Sequence, residues 1–125
     1  MHILVVEDDE NVRYMIEKIL DIEGHNVKTA ENGKQALEVI SRDPTLELMI
    51  TDILMPEKEG METIQEVKAS KPHIKIIAIS GGGRIMAQDY LNTAKILGAD
   101  FTLKKPFKRQ AILDAVELIS NSDGD

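Results

Sequence analysis

Four acidic residues stand together at Glu7, Asp8, Asp9 and Glu10, and a lone aspartate, Asp52, follows an apolar run. Ser80 precedes Gly81, Gly82 and Gly83, and Lys104 and Lys105 precede Pro106. Each of these groups comes directly after a short apolar segment. If those segments are neighbouring strands, they lie ~4.8 Å apart and their carboxylates crowd at one rim. Two like charges ~4 Å apart repel by about 4 kcal/mol at an effective dielectric of about 20, so folding alone does not favour the crowd. A hard divalent cation does, because Mg²⁺ takes oxygen ligands and few protein carboxylates. A hydroxyl and a lysine on the same rim would let it hold a cation and an anion together, as a phosphoryl group requires.

Taken singly, each residue has a plainer role. Acids between a strand and a helix serve as N-caps, and Asp9 or Glu10 suits the first helix. Ser80 alone is a turn or cap residue, and Lys105 alone is a solvated lysine. Asp52 fits a cap poorly, because Pro56 and a loop with Glu57 and Glu59 follow it. What argues for chemistry is the convergence of several such residues on strand ends.

The elements that must position them alternate along the chain. Short runs rich in Ile, Val and Leu occupy Ile3–Val6, Val27–Ala30, Leu46–Thr51, Ile74–Ile79 and Phe101–Leu103. The middle runs are apolar almost throughout, as strands of a parallel sheet covered on both faces are. Between them lie helical stripes. Val12, Met15, Ile16, Ile19 and Leu20 form the first, stopped by Gly24. Ala36, Leu37 and Ile40 mark a second, and Met61, Ile64 and Val67 a third closed by Pro72. Ala87, Tyr90, Leu91 and Ala94 mark a fourth ended by Gly98, and Ile112, Leu113, Val116 and Ile119 a fifth. The polar tail from Asn121 is expected to fray. Five βα units are too few for an eight-stranded barrel. The expectation is an α/β fold with a doubly wound, open (βα)₅ parallel sheet of flavodoxin-like strand order 2-1-3-4-5. Such sheets bind ligands beyond the carboxyl ends of their strands.

Composition narrows the function. The 125 residues fit one domain, residues 1–125, with no output domain expected. The absence of cysteine excludes a thiolate metal site, a disulfide scaffold and a cysteine nucleophile, and fits a cytoplasmic setting. No apolar run approaches the ~20 residues that span a bilayer. A net charge of −7 makes direct nucleic-acid binding a poor expectation. His2, His25 and His73 have no metal-ligand spacing, and no phosphohistidine role is expected of them.

The motifs carry a resemblance. ILVVEDDE at Ile3–Glu10, TDILMPEKEG at Thr51–Gly60, IIAISG at Ile76–Gly81 and LKKPF at Leu103–Phe107 are similar to the motifs of response-regulator receiver domains of two-component signalling, including single-receiver chemotaxis regulators. The match covers essentially the whole chain in the right order. The resemblance implies that Asp52 is the phospho-acceptor. It implies that Glu7, Asp8, Asp52 and the backbone carbonyl of Leu54 hold Mg²⁺, that Ser80 hydrogen-bonds the phosphoryl group and that Lys105 pairs with its oxygens. It further implies a sensor histidine kinase or phosphotransfer protein as donor and a downstream protein as target. The response would run through the face of the fourth helix, fifth strand and fifth helix, in a monomer or a phosphorylation-dependent dimer. Lys-Pro turns in the family are often cis at the position of Pro106. Three features depart from the pattern. Thr102 stands where an aromatic switch residue is common, with Phe101 one step earlier. The segment from Ser80 to Lys105 is longer than usual, and Leu54 is apolar. Lys104, Lys108 and Arg109 are a candidate docking cluster for an acidic partner, or else cations screened by acids such as Asp100.

Three rivals share some of this chemistry. A haloacid-dehalogenase-type Mg²⁺ phosphatase wants a second Asp two residues after the nucleophile, where this chain has Leu54. A flavodoxin-like FMN binder wants a phosphate loop where Glu7, Asp8 and Asp9 would repel one. A pseudo-receiver serving only as a docking module has no need of the set Asp8, Asp52, Ser80 and Lys105.

Overall fold

The computed structural model describes residues 1–53, 60–80, 95 and 98–122. Nine elements follow in order: β1 (His2–Val6), α1 (Glu10–Ile22), β2 (Asn26–Ala30), α2 (Gly33–Arg42), β3 (Leu48–Asp52), α3 (Gly60–Ser70), β4 (Lys75–Ser80), β5 (Phe101–Lys104) and the C-terminal helix α4 (Arg109–Ser122). All strand pairs are parallel, and their order is β2-β1-β3-β4-β5. The expected doubly wound sheet is therefore present. The helix expected over Ala87–Ala94 lies outside the described residues.

Period-two alternation explains why the strands read as continuous apolar runs. Leu4, Val6, Met49, Ile76 and Ala78 pack on one face against Ala36 and Ile40 of α2 and Ile64 and Val67 of α3. Ile3, Val5, Leu48, Ile50, Ile77 and Ile79 pack on the other against Ile16 and Leu20 of α1 and Ile112, Val116 and Ile119 of α4. Each fully buried Leu, Ile or Val contributes roughly 1.5–3 kcal/mol. Two such layers hold the central strands rigid, and so fix where their carboxyl ends stand.

Asp9 caps α1, its carboxylate accepting from the Asn11 and Val12 amides. Of the two acids offered for this role, Asp9 takes it. Gly24, just past the end of α1, has φ of +88°, the left-handed turn that a glycine adopts without penalty. Several boundaries differ from the apolar runs. Leu46 and Ile74 are buried but precede their strands, which begin at Leu48 and Lys75. Burial and strand pairing are separate properties, and an apolar run reports the first. Met15 is 41% exposed rather than part of the core stripe. Asn121 and Ser122 continue α4 instead of fraying, while residues 123–125 lie outside the described residues. Among the described residues no helix is long and apolar enough to cross a membrane.

Candidate functional site

Strand register brings the acids together. Val6 of β1 pairs with Thr51 of β3, so one further step sets Glu7 beside Asp52. Asp52 pairs with Ile79 of β4, and Ser80 pairs with Lys104 of β5. Four strand ends thus deliver Glu7, Asp52, Ser80 and Lys105 to one rim. The Lys105–Pro106 peptide bond is cis, and the Lys105 amide donates to the Ser80 carbonyl at 2.8 Å.

The Lys105 ammonium reaches back over this rim. Its Nζ donates to Glu7 Oε1 at 2.6 Å and to Asp52 Oδ2 at 2.9 Å. Glu7 is 1% exposed and Asp52 6% exposed, whereas Asp8 is exposed. Ligand oxygens of Glu7, Asp8 and Asp52 all lie within 4.8 Å of one another, so the trio could hold a metal ion. Three carboxylates against one lysine leave negative charge in excess. Burial, opposed by the Lys105 hydrogen bond and reinforced by the Asp52 charge, raises the Glu7 carboxyl from 4.5 to about 7. Burial works against the Lys105 ammonium as well, but its bonds to Glu7 and Asp52 outweigh it and raise that group above 10.5.

The Ser80 hydroxyl is fully buried and has no hydrogen-bond partner among the described residues. An orphaned buried hydroxyl costs roughly 1–3 kcal/mol. Ser80 ends β4 one residue past the partner of Asp52, and its carbonyl accepts from the Lys105 amide, a place in the sheet that suits an incoming oxyanion. The carboxylate trio, the lysine and this hydroxyl together fit both a divalent cation and a phosphoryl group.

Three further residues shape the site, and sequence reasoning did not assign them a role. The Thr51 hydroxyl, buried, donates to the Asp52 carbonyl at 2.9 Å. Gly60 opens α3 directly against the end of β3, its amide donating to the Ile53 carbonyl at 3.1 Å. A Cβ there would lie 2.3 Å from the Asp52 carbonyl oxygen and 2.4 Å from Ile53 Cα, so no side chain fits. Arg13 donates from Nη1 to the Glu7 carbonyl at 2.9 Å. The Gly60 signal was visible in its motif, but its reason is a contact that only the fold creates.

Other expected members are placed as follows. Leu54 with its carbonyl, Glu57, Glu59 and the glycines 81–83 lie outside the described residues. Phe101 packs into the α1/α4 layer, and Thr102 is half-buried at the position where the family often has an aromatic residue. The basic cluster is partly committed elsewhere. Arg109 pairs with Glu23 at 3.0 Å, while Lys104 and Lys108 are exposed. The Asp100 carboxylate takes the Lys68 ammonium at 2.9 Å and the Ile76 amide at 2.8 Å. None of the three histidines joins the carboxylate trio.

An open parallel sheet with paired acids, an aspartate, a hydroxyl and a lysine at its strand ends defines a signalling class of α/β domain. Residues 3–117 match the family model of the response regulator receiver domain, and the chain belongs to that family. It is 32% identical over 117 residues to the transcriptional regulatory protein CpxR of Klebsiella pneumoniae, covering 94% of this chain and 48% of that protein. It is 32% identical over 120 residues to the response regulator SaeR of Staphylococcus aureus, covering 95% of this chain and 50% of that protein. The chain therefore spans about half the length of the curated relatives it matches. Among solved structures, a receiver domain protein from Clostridium thermocellum superposes with a TM-score of 0.89 at 29% identity, covering 98% of this chain and 96% of that one. Receiver domains of two-component systems are signalling domains that interact with histidine kinases and downstream effectors.

Proposed function

We propose that this receiver domain accepts a phosphoryl group on Asp52 from a histidine kinase or phosphotransfer protein, with Mg²⁺ held by Glu7, Asp8, Asp52 and the backbone carbonyl of Leu54. The observation that carries this reading is the bridge of Lys105 to both Glu7 and Asp52 within the carboxylate trio. Bound there, Mg²⁺ would neutralise charge on the phosphoryl oxygens.

The protein's own residues do the rest. Asp52 supplies the nucleophilic carboxylate oxygen. As its oxygen–phosphorus bond forms, the phosphorus–nitrogen bond of the donor phosphohistidine breaks, and the imidazole nitrogen keeps that electron pair. Lys105, already 2.9 Å from Asp52 Oδ2, exchanges a carboxylate partner for a phosphoryl oxygen. The Ser80 hydroxyl, unpartnered among the described residues, donates to a second oxygen. That movement shifts a population of conformers and alters affinity for a downstream protein through the face that includes β5 and α4. The cysteine-free chain fits the cytoplasmic setting this reading implies, and its net charge of −7 fits a protein target rather than nucleic acid.

A small-molecule donor such as acetyl phosphate tests the reading. Phosphorylation should require Mg²⁺ and vanish in Asp52→Asn. Asp8→Asn should lose Mg²⁺ binding while keeping the fold, because Asp8 is exposed. A wild-type protein that takes no phosphoryl group from any donor, with Mg²⁺ present, is a docking module instead.

A further inference from the structure

Arg13 lies on α1, six residues beyond Glu7, yet its side chain turns back to the strand it left. Nη1 donates to the Glu7 backbone carbonyl at 2.9 Å, and the side chain is only 17% exposed. Its Nη2 stands 4.0 Å from Glu31 Oε1, beyond the end of β2. The Arg13 amide meanwhile donates to the Asp9 carbonyl at 2.9 Å. One residue therefore ties both sides of the turn that carries Glu7, Asp8 and Asp9.

Inside that turn the remaining bonds are local. The Asp9 amide donates to Glu7 Oε2 at 3.1 Å, and the Glu7 amide donates to the Ala30 carbonyl at 3.1 Å. The Glu7 carbonyl thus depends on Arg13 for its side-chain donor. The carboxylates of Glu7 and Asp8 hang from the backbone on either side of that carbonyl. A guanidinium with fixed planar geometry orients such a group better than a flexible ammonium does.

We propose that Arg13 is a positioning residue for the metal-binding turn: it fixes the Glu7 backbone so that the Glu7 and Asp8 carboxylates are presented together to a divalent cation. The proposal rests on the Mg²⁺ reading above. The opposing effect has the opposite sign. Arg13 is a cation close to the site, and charge alone would make its removal tighten Mg²⁺ binding. Positioning makes its removal weaken binding, as outer-shell partners of metal ligands do.

The test is Mg²⁺ titration of the whole chain, followed by the backbone amide signals of Asp8 and Asp9. Arg13→Met keeps the apolar stem and removes the donors. Its Mg²⁺ dissociation constant should rise about tenfold, the low end for an outer-shell group, and Arg13→Lys should recover part of the loss. Thermal unfolding is measured alongside, since a merely structural arginine would lower the midpoint and leave Mg²⁺ affinity alone. An Arg13→Met protein that is folded and binds Mg²⁺ as tightly as wild type, or more tightly, overturns the proposal. If that variant does not fold, Arg13→Gln carries the same test with the same sign. A wild-type protein that binds no Mg²⁺ fails the reading beneath it, a result distinct from equal binding by wild type and variant.

Discussion

Lys105 Nζ lies 2.6 Å from Glu7 Oε1, joining residues 98 positions apart at the rim of the sheet. The contact closes the site from both ends of the chain. It also sets Glu7 apart from Asp8, because Glu7 is buried and shares its lysine with Asp52, whereas Asp8 is exposed.

That arrangement makes stability depend on pH. The Glu7 carboxyl stands at about 7 in the folded protein against 4.5 for the unperturbed group. Between those values the folded state binds a proton that the unfolded state has released. Stability is therefore greatest below about pH 4.5, as far as this group is concerned, and falls as pH rises to about 7. The loss is on the order of 3 kcal/mol. Urea unfolding of Glu7→Gln should show a flatter dependence between these limits than wild type. An identical slope in both proteins would place the titration elsewhere. Mg²⁺ binding should also weaken as pH falls through about 7, because the cation must displace that proton.

Gly60→Ala should destabilise the fold by about 1–3 kcal/mol, the usual cost of overpacking. The new Cβ would meet backbone on two sides, the Asp52 carbonyl and Ile53 Cα, and neither can swing aside. Because the displaced atoms belong to Asp52 and its neighbour, Mg²⁺ affinity should fall with stability. Chemical denaturation together with Mg²⁺ titration checks both, and a variant as stable as wild type would contradict the close approach.

Most of the fold was legible because parallel strands buried on both faces leave continuous apolar runs. Leu46–Thr51 and Ile74–Ile79 are such runs, and the acids, serine and lysine that follow the runs mark the rim. What stayed hidden depends on contacts between distant segments. Glu7 and Asp8 are neighbours of one type, yet one is buried against Lys105 and the other faces solvent. Arg13 reads as a surface cation on a helix, since no local pattern announces a side chain folding back onto Glu7. The engagement of Arg109 is hidden for the same reason: Glu23, its partner, is 86 residues away in sequence.

Lys104 and Lys108 remain exposed beside that pair, so the docking expectation can be sharpened. Reversing Lys108 and Arg109 to Glu should change stability by about 0.5 kcal/mol or less, because the Arg109–Glu23 pair is exposed. Phosphorylation by a small-molecule donor should be unchanged. Affinity for the cognate partner should fall and its salt dependence should flatten. Unaltered partner binding at low salt would mark the cluster as solvated surface.

Phosphorylation of Asp52 is the step on which the proposed function turns. The most direct measurement is mass-spectrometric localisation of the phosphoryl group after reaction with acetyl phosphate and Mg²⁺. One modified site is expected, on the peptide containing Asp52, with no modification of Asp52→Asn. A phosphoryl group found on another residue of the wild type, or one that persists at equal yield in Asp52→Asn, would contradict that expectation.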